Sequence, residues 1–146
     1  MCYSISMKWW WKGRKSEERK LKDEGSTPKK DLKERSFEFA KRIVLLCQKL
    51  EKSSGAARTI SNQLLRSGTS IGANIEEANG SQSKADFTAK MYISCKEARE
   101  TNYWLRLLIE TEMIPKKQLT NLLDESSQLI AILTSVVKKS SQPSPQ

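Results

Sequence analysis

QLLRSGTSIGANIEEA, residues 63–78, is the most informative stretch of this 146-residue sequence. Its apolar residues Leu64, Ile71 and Ile75 are separated by seven and four positions, which places them on one face of an α-helix. Apolar and small residues at the same spacing continue on both sides of the stretch. The pattern predicts a helix over residues 56–79.

Two glycines lie inside this predicted helix. Gly68 and Gly72 each cost about 1 kcal/mol relative to alanine in a helix interior. An internal glycine is typical of a face that another element approaches closely. We therefore expect a second backbone to pack against this side of the helix, which Gly80 then ends.

Short polar residues are also concentrated in the stretch. Ser67, Thr69, Ser70 and Asn74 need hydrogen-bond partners if they are buried, and such groups specify one packing arrangement. Arg66 is two turns from Asn74 and shares its side of the helix. We interpret the cluster as hydrogen bonding between helices or between subunits, with contact to a ligand or nucleic acid as the alternative.

Three other segments carry the same helical spacing. Cap signals at Asp31 with Glu34, and at Ser83 with Asp86, mark the starts of two of them, and Pro115 suits the first turn of the last. The apolar stripe of the first is Phe37, Ala40, Val44 and Cys47, joined by Phe39, Ile43, Leu46 and Leu50. The stripe of the second is Phe87, Met91, Cys95, Ala98, Asn102, Leu105 and Leu108, and that of the last is Leu119, Leu122, Leu123, Ile130, Leu133, Val136 and Val137. The last of these helices, which begins near Pro115, is expected to end near residue 139.

Four amphipathic helices with short connections predict an all-α fold, an up-and-down antiparallel four-helix bundle over residues 31–139. The third helix is apolar on more than one face, with Tyr92, Tyr103 and Trp104 beside its main stripe. This breadth favours burial against a neighbouring subunit as well as the chain's own core. Packing of the whole helix within one chain is the alternative.

Charges of both signs alternate along the third helix. They are Lys96, Glu97, Arg99, Glu100 and Arg106. Such alternation is typical of a surface with weak ion pairs. Arg99 is four residues from Tyr103, and an arginine beside an aromatic ring suits an oligomer interface as well as a base-stacking platform.

The chain is basic, with 26 Lys and Arg against 17 Asp and Glu, for a net charge of +9. Residues 1–35 hold 11 of the basic and 6 of the acidic residues. Residues 1–30 are predicted to be a disordered basic extension, and residues 140–146 a disordered tail. The three tryptophans at residues 9–11 suit a membrane interface or stacking on bases as an alternative to disorder.

Several chemistries are excluded by composition. The chain has no histidine, so a histidine-ligated zinc site, a Ser-His-Asp triad and a Cys-His dyad cannot form within one chain. Glu76 and Glu77 are adjacent on a helix and diverge by about 100°, so they cannot act on one substrate together. We expect them to pair with basic residues of other helices or to remain solvated. The prediction is a non-enzymatic protein without a cofactor or a metal.

The sequence also predicts a cytoplasmic protein without a membrane partner. No apolar run approaches the roughly 18 to 20 residues that a membrane span requires. Cys47 and Cys95 lie in apolar helical patterns, where a free cysteine acts as a small hydrophobic residue in a reducing compartment.

Three motifs resemble a known family. They are residues 63–78, the stretch QSKADF at residues 82–87, and KEARETNYWL at residues 96–105. In this order they resemble the four-helix bundle proteins encoded in the intervening sequences of bacterial 23S ribosomal RNA genes. The positions that carry the packing and oligomer signature are Arg66, Ser67, Gly68, Ser70, Gly72, Asn74, Tyr103 and Trp104.

The resemblance implies a ring-like homo-oligomer, expected to be a homopentamer, without known catalytic activity. The family is similar in fold to the accessory variability determinant of diversity-generating retroelements, a basic homopentameric bundle that works with a reverse transcriptase and nucleic acid. This sequence departs from many relatives by having Gly72 where they carry proline. It also reads Glu76-Glu77-Ala78 where they read Ala-Glu-Gly.

The leading functional hypothesis is binding of RNA or DNA through a basic surface, or scaffolding of a nucleic-acid-processing protein. The candidate phosphate contacts are basic residues on or beside the first three helices: Lys41, Arg42, Lys49, Arg58, Arg66 and Lys84. The alternative is a protein-protein adaptor that does not bind nucleic acid directly. An enzyme is the third class, but no spacing in the sequence pairs a nucleophile with a base.

Overall fold

A computed structural model describes residues 31–53 and 55–143. This part of the chain forms four α-helices and no strand: α1 (Leu32–Leu50), α2 (Ala56–Asn79), α3 (Lys84–Glu110) and α4 (Lys116–Ser140). The predicted all-α fold and its four helices are confirmed. The predictions for the extension over residues 1–30, and for residues 144–146 of the tail, lie outside the described residues.

Sequential helices pack against each other in antiparallel pairs. In each pair, residue numbers rise along one helix as they fall along its partner. The contacts that establish this are Gly72 beside Ser36 and Cys47 beside Ser61 for α1 and α2, Ile71 with Ser94 and Ser67 with Thr101 for α2 and α3, and Cys95 with Thr134 and Asn102 with Ser126 for α3 and α4. The direction of the chain is therefore up, down, up, down.

The packing between α1 and α4 is much less extensive than the packing between α1 and α2. Arg35 makes that contact, because its Nε donates to Oε1 of Glu125 at 2.8 Å and its Nη2 donates to Oε1 of Gln128 at 2.7 Å. The other three pairs of neighbouring helices pack extensively. The side of the bundle between α1 and α4 is consequently its least closely packed side.

The helix ends follow the local chemistry of the sequence. Ser83 caps α3, since its hydroxyl accepts the backbone N–H of Asp86 at 3.0 Å, as the cap signal predicts. Gly80 follows the last residue of α2, as predicted. Pro115 occupies the position before α4 and not its first turn, so this boundary differs from the prediction by one residue.

The core is formed by the apolar stripes of all four helices. Its fully buried members include Phe39 and Ile43 of α1, Leu64 and Ile71 of α2, Leu105 and Leu108 of α3, and Leu129 and Leu133 of α4. Cys47 and Cys95 are buried free thiols, as expected for small hydrophobic residues. Burial raises the pKa of the Cys47 thiol, which lies 3.4 Å from the carbonyl oxygen of Ser61.

None of α1 to α4 combines the length and apolar character needed to cross a bilayer.

Candidate nucleic-acid interface

The two glycines of α2 face α1 in different ways. A β-carbon at Gly68 would lie 2.8 Å from Cγ2 of Ile43, so the close neighbour there is a side chain. A β-carbon at Gly72 would lie 3.5 Å from the backbone oxygen of Ser36. The predicted close approach of another helix at this face is confirmed: backbone atoms of Ser36 are among the nearest neighbours at Gly72, and Cγ1, Cγ2 and Cβ of Ile43 are the nearest at Gly68.

Buried hydroxyl groups join α2 to α3. Thr101 donates to Oγ of Ser67 at 3.0 Å, and both side chains are fully buried. One layer away, the hydroxyl of Ser94 donates to the backbone oxygen of Ile71 at 2.9 Å. Ser67 therefore takes part in the hydrogen bonding between helices that the sequence predicts.

The other short polar residues of the stretch bond within α2. The hydroxyls of Thr69 and Ser70 donate to the backbone oxygens of Leu65 and Arg66, each at 2.7 Å. The amide of Asn74 donates to the backbone oxygen of Ser70 at 2.8 Å. Within one chain, each of these three side chains therefore bonds to its own helix, one turn earlier, and not to another helix. The alternative, hydrogen bonding between subunits, stays a prediction.

The adjacent carboxylates at the end of α2 point to different helices. Glu76 pairs with Lys33 of α1 at 2.8 Å, and Glu77 pairs with Lys90 of α3. The prediction that they pair with basic residues of other helices is confirmed. Each is at least half exposed, so these ion pairs contribute little to stability.

Arg66 lies at the centre of a polar cluster between α2 and α3. Its guanidinium donates to Glu97 at 3.4 Å and to Glu100. Glu100 also accepts the indole N–H of Trp104 at 3.1 Å. The hydrogen bond from Arg66, assisted by that from Trp104, lowers the pKa of the Glu100 carboxyl below its usual range. The positive charge of Arg66 is thus compensated by two carboxylates of its own chain.

The remaining predicted phosphate contacts have different surroundings. Lys41 pairs with Glu38 at 2.9 Å, whereas Lys84 donates to the backbone oxygen of Gln142 at 2.6 Å, a neutral acceptor. Three others are exposed and have no ion pair with a carboxylate in the described part of the chain: Arg42, Lys49 and Arg58. The six candidates are distributed over α1, α2 and the start of α3.

A more continuous basic surface lies along the exposed side of α3. We call it the α3 outer face, and it consists of Tyr92, Lys96, Arg99, Tyr103 and Arg106, all exposed. These positions are separated by four, three, four and three residues, so they form a single stripe along the helix. The tyrosines are 56% and 49% exposed, although aromatic side chains are usually half-buried or more.

The cations of this face are not neutralised by carboxylates among the described residues. Arg99 donates to the hydroxyl of Thr134 at 3.2 Å, and Arg106 donates to the amide oxygen of Asn102 at 3.1 Å. Lys96 lies 5.9 Å from the centre of the Tyr92 ring. These neutral partners orient the basic groups and leave their charges available to an anion.

The sequence prediction of weak ion pairs along α3 is therefore correct only in part. Its acidic members, Glu97 and Glu100, do form ion pairs, but with Arg66 of α2. The basic members on the outer face are left without such pairs. The stripe of two tyrosines and three cations was a signal in the sequence, but only the packing of α2 on α3 shows that the neighbouring acidic residues pair with Arg66.

Comparison with known proteins adds a family to this architecture. Residues 29–135 match the family described as 23S rRNA-intervening sequence protein. The chain belongs to this family. The resemblance noted in the sequence is thereby confirmed, and the segment with three tryptophans precedes the matched residues.

One solved relative of this 23S rRNA-intervening sequence protein is a crystal structure at 1.70 Å resolution from Bacteroides thetaiotaomicron VPI-5482. It is described as a protein with unknown function from the S23 ribosomal protein family. The two are 46% identical, the alignment covers 74% of this chain and 99% of the relative, and the TM-score is 0.69. No functionally curated protein matches the chain.

Proposed function

We propose that this protein is a non-enzymatic helical bundle that assembles with copies of itself and binds nucleic acid through a basic surface. The observation that carries the proposal is the α3 outer face, whose three cations form no ion pair with a carboxylate of the described residues and have neutral partners or an aromatic ring instead. Uncompensated basic groups in a row are what a phosphate backbone requires of a protein surface.

Assembly would strengthen such binding. Residues 36–146 carry 15 basic and 11 acidic residues, a modest excess for one copy. Each phosphate that is neutralised adds to the affinity by releasing counterions, so several copies on one strand multiply a weak contribution. The expected assembly is the homopentamer that the family resemblance implies.

A salt titration tests the proposal. Fluorescence anisotropy of labelled structured RNA, single-stranded RNA and duplex DNA would be measured with the full chain from about 50 to 200 mM salt, the range over which phosphate contacts weaken strongly. We expect binding at low salt, with an affinity that falls linearly on a logarithmic plot against salt. Absence of binding to all three nucleic acids at low salt, with the oligomer intact, contradicts the proposal.

A second candidate function is a protein-protein adaptor, for example a scaffold for a nucleic-acid-processing protein. Phe37 and Leu45 of α1 support it, because they are 62% and 57% exposed and form no part of the core. They are about two turns apart on one helix, and a large apolar surface that is left exposed is typical of protein contacts. Recovery of one protein from the native cell, unchanged after nuclease treatment, favours this function over direct binding.

A further inference from the structure

We propose that the α3 outer face binds single-stranded nucleic acid, with bases stacked on Tyr92 and Tyr103 and phosphates against the three cations between and beyond them. This inference rests on the proposed function and adds the class of nucleic acid and the mode of recognition.

The arrangement of the tyrosines favours a nucleic-acid strand with unpaired bases as the ligand. Tyr92 and Tyr103 are eleven residues apart on one side of α3, about 16 Å along the helix axis. In a duplex, each base is covered on both faces by its neighbours, so an exposed ring finds a stacking partner only where bases are unpaired. Two tyrosines in a row with basic residues match the combination of stacking and backbone contacts that single strands use.

Tyr103 is the better positioned of the two rings. Tyr103 contacts Trp104 edge to face, with ring centres 5.0 Å apart, and the indole of Trp104 is fixed by Glu100. Tyr92 has Lys96 nearby, at a distance that places the ammonium group at the outer limit of a cation-π contact. A ring that is fixed before binding loses less conformational freedom when a base stacks on it.

A concave surface adjoins one end of the face. It lies between the first half of α3 and the end of α4, and Tyr92 is part of its wall together with Ala85, Ala89 and Val137. Lys84 also lines it. This predicted phosphate contact therefore lines the same concave surface as Tyr92. An unstacked base could pack against the apolar part of that surface.

The charges favour nucleic acid over a second copy of the chain as the occupant. A copy of this chain that packed on the face would have to bring a carboxylate to each of three cations beside two tyrosines, since buried charges without partners are strongly unfavourable. A polyanion that stacks its bases satisfies both features at once, because its phosphates lie alternately with its bases along the strand.

The test compares tyrosine variants on two probes. The probes are a labelled 20-nucleotide RNA that cannot pair with itself and the duplex of that RNA with its complement. We expect the wild-type chain to bind the single strand more tightly, and the double variant Tyr92→Ala/Tyr103→Ala to lose about 10-fold or more in affinity for it per stacked base. Its affinity for the duplex and the salt dependence of its binding should be unchanged.

Two controls separate stacking from other effects. The double variant Tyr92→Phe/Tyr103→Phe keeps both rings and should bind as the wild type does. Phe37→Ala removes an exposed ring from α1 and should have no effect on either probe. If the alanine variant loses helical content, Tyr92→Leu/Tyr103→Leu keeps apolar bulk without a ring and carries the same expectation.

Four results would overturn the inference. Equal affinity of the wild type for both probes, or full retention of binding in the alanine variant, refutes it and leaves the proposed function standing. A change of oligomer mass in the alanine variant identifies the face as a subunit contact and also refutes it. Failure of the wild type to bind either probe at low salt contradicts the proposed function together with the inference.

Discussion

Gly68 of α2 and Ile43 of α1 are packed so closely that a β-carbon at the glycine would lie 2.8 Å from Cγ2 of the isoleucine. One turn later, a β-carbon at Gly72 would make an ordinary contact of 3.5 Å with Ser36. The same pair of helices thus has one position with no room for a methyl group and one position with room for it.

This difference predicts opposite effects of the same substitution. Gly68→Ala forces Ile43 to move, which costs about 1 to 3 kcal/mol through overpacking. Gly72→Ala should raise the free energy of unfolding by up to about 1 kcal/mol, because alanine is the better helix former. Urea unfolding followed by circular dichroism measures both, and the loss in the double variant Gly68→Ala/Ile43→Ala should be smaller than the sum of the losses in the two single variants. Equal stability of the two single variants would contradict the packing.

The bond between Thr101 and Ser67 predicts a second stability difference. Thr101→Val keeps the shape of the side chain and removes the donor to the fully buried Ser67 hydroxyl. We expect a loss of about 1 kcal/mol in the free energy of unfolding. Thr88→Val is the matched control, since the Thr88 hydroxyl bonds only to its own helix at Lys84. A loss of the same size in the control would show that the buried bond is not responsible.

Glu100 predicts how stability depends on pH. Its pKa is lowered in the folded chain, chiefly by the hydrogen bond from Arg66. A carboxyl with a lowered folded pKa stabilises the fold above its unfolded pKa, and this contribution is lost as the pH falls through the folded value. Acidification from pH 7 should therefore destabilise the wild type more than Glu100→Gln, which cannot titrate. Parallel pH profiles of the urea midpoint would contradict this account.

The proposed homopentamer makes a direct prediction about mass. Native mass spectrometry should give five times the 16.7 kDa of one chain. A species at the mass of one chain, at concentrations where nucleic acid would be bound, would contradict the proposed assembly. The same sample measured with bound RNA would show whether the strand changes the number of copies.

Helical spacing was sufficient to predict the four helices and most of their ends. The spacing of Phe39, Ile43 and Cys47 follows from one buried face on α1, and this signal is local. Phe37 lies in the same broad apolar stripe but is 62% exposed. Its exposure depends on where α2 and α4 meet α1, which no pattern within α1 specifies.

The candidate site was less predictable because charge pairing depends on the packing of two helices. Arg66, Glu97 and Glu100 meet only because α2 and α3 are aligned in one register. Lys96 and Arg99 are next to those acids in sequence, yet they lie on another side of α3. The sequence indicated the right residue types, and the packing determined which positive charges remain uncompensated.

The most direct test of the central claim compares two triple variants, each of which removes three positive charges from a different set of residues. Lys96→Gln/Arg99→Gln/Arg106→Gln neutralises the outer face, and the control Lys41→Gln/Arg66→Gln/Lys90→Gln removes the same net charge from cations that have carboxylate partners. For single-stranded RNA, the outer-face variant should bind more weakly, and its logarithmic salt slope should fall by about two, as expected for three lost phosphate contacts. The control should keep the wild-type slope, and equal slopes for the two variants would contradict the claim that the α3 outer face contacts phosphates.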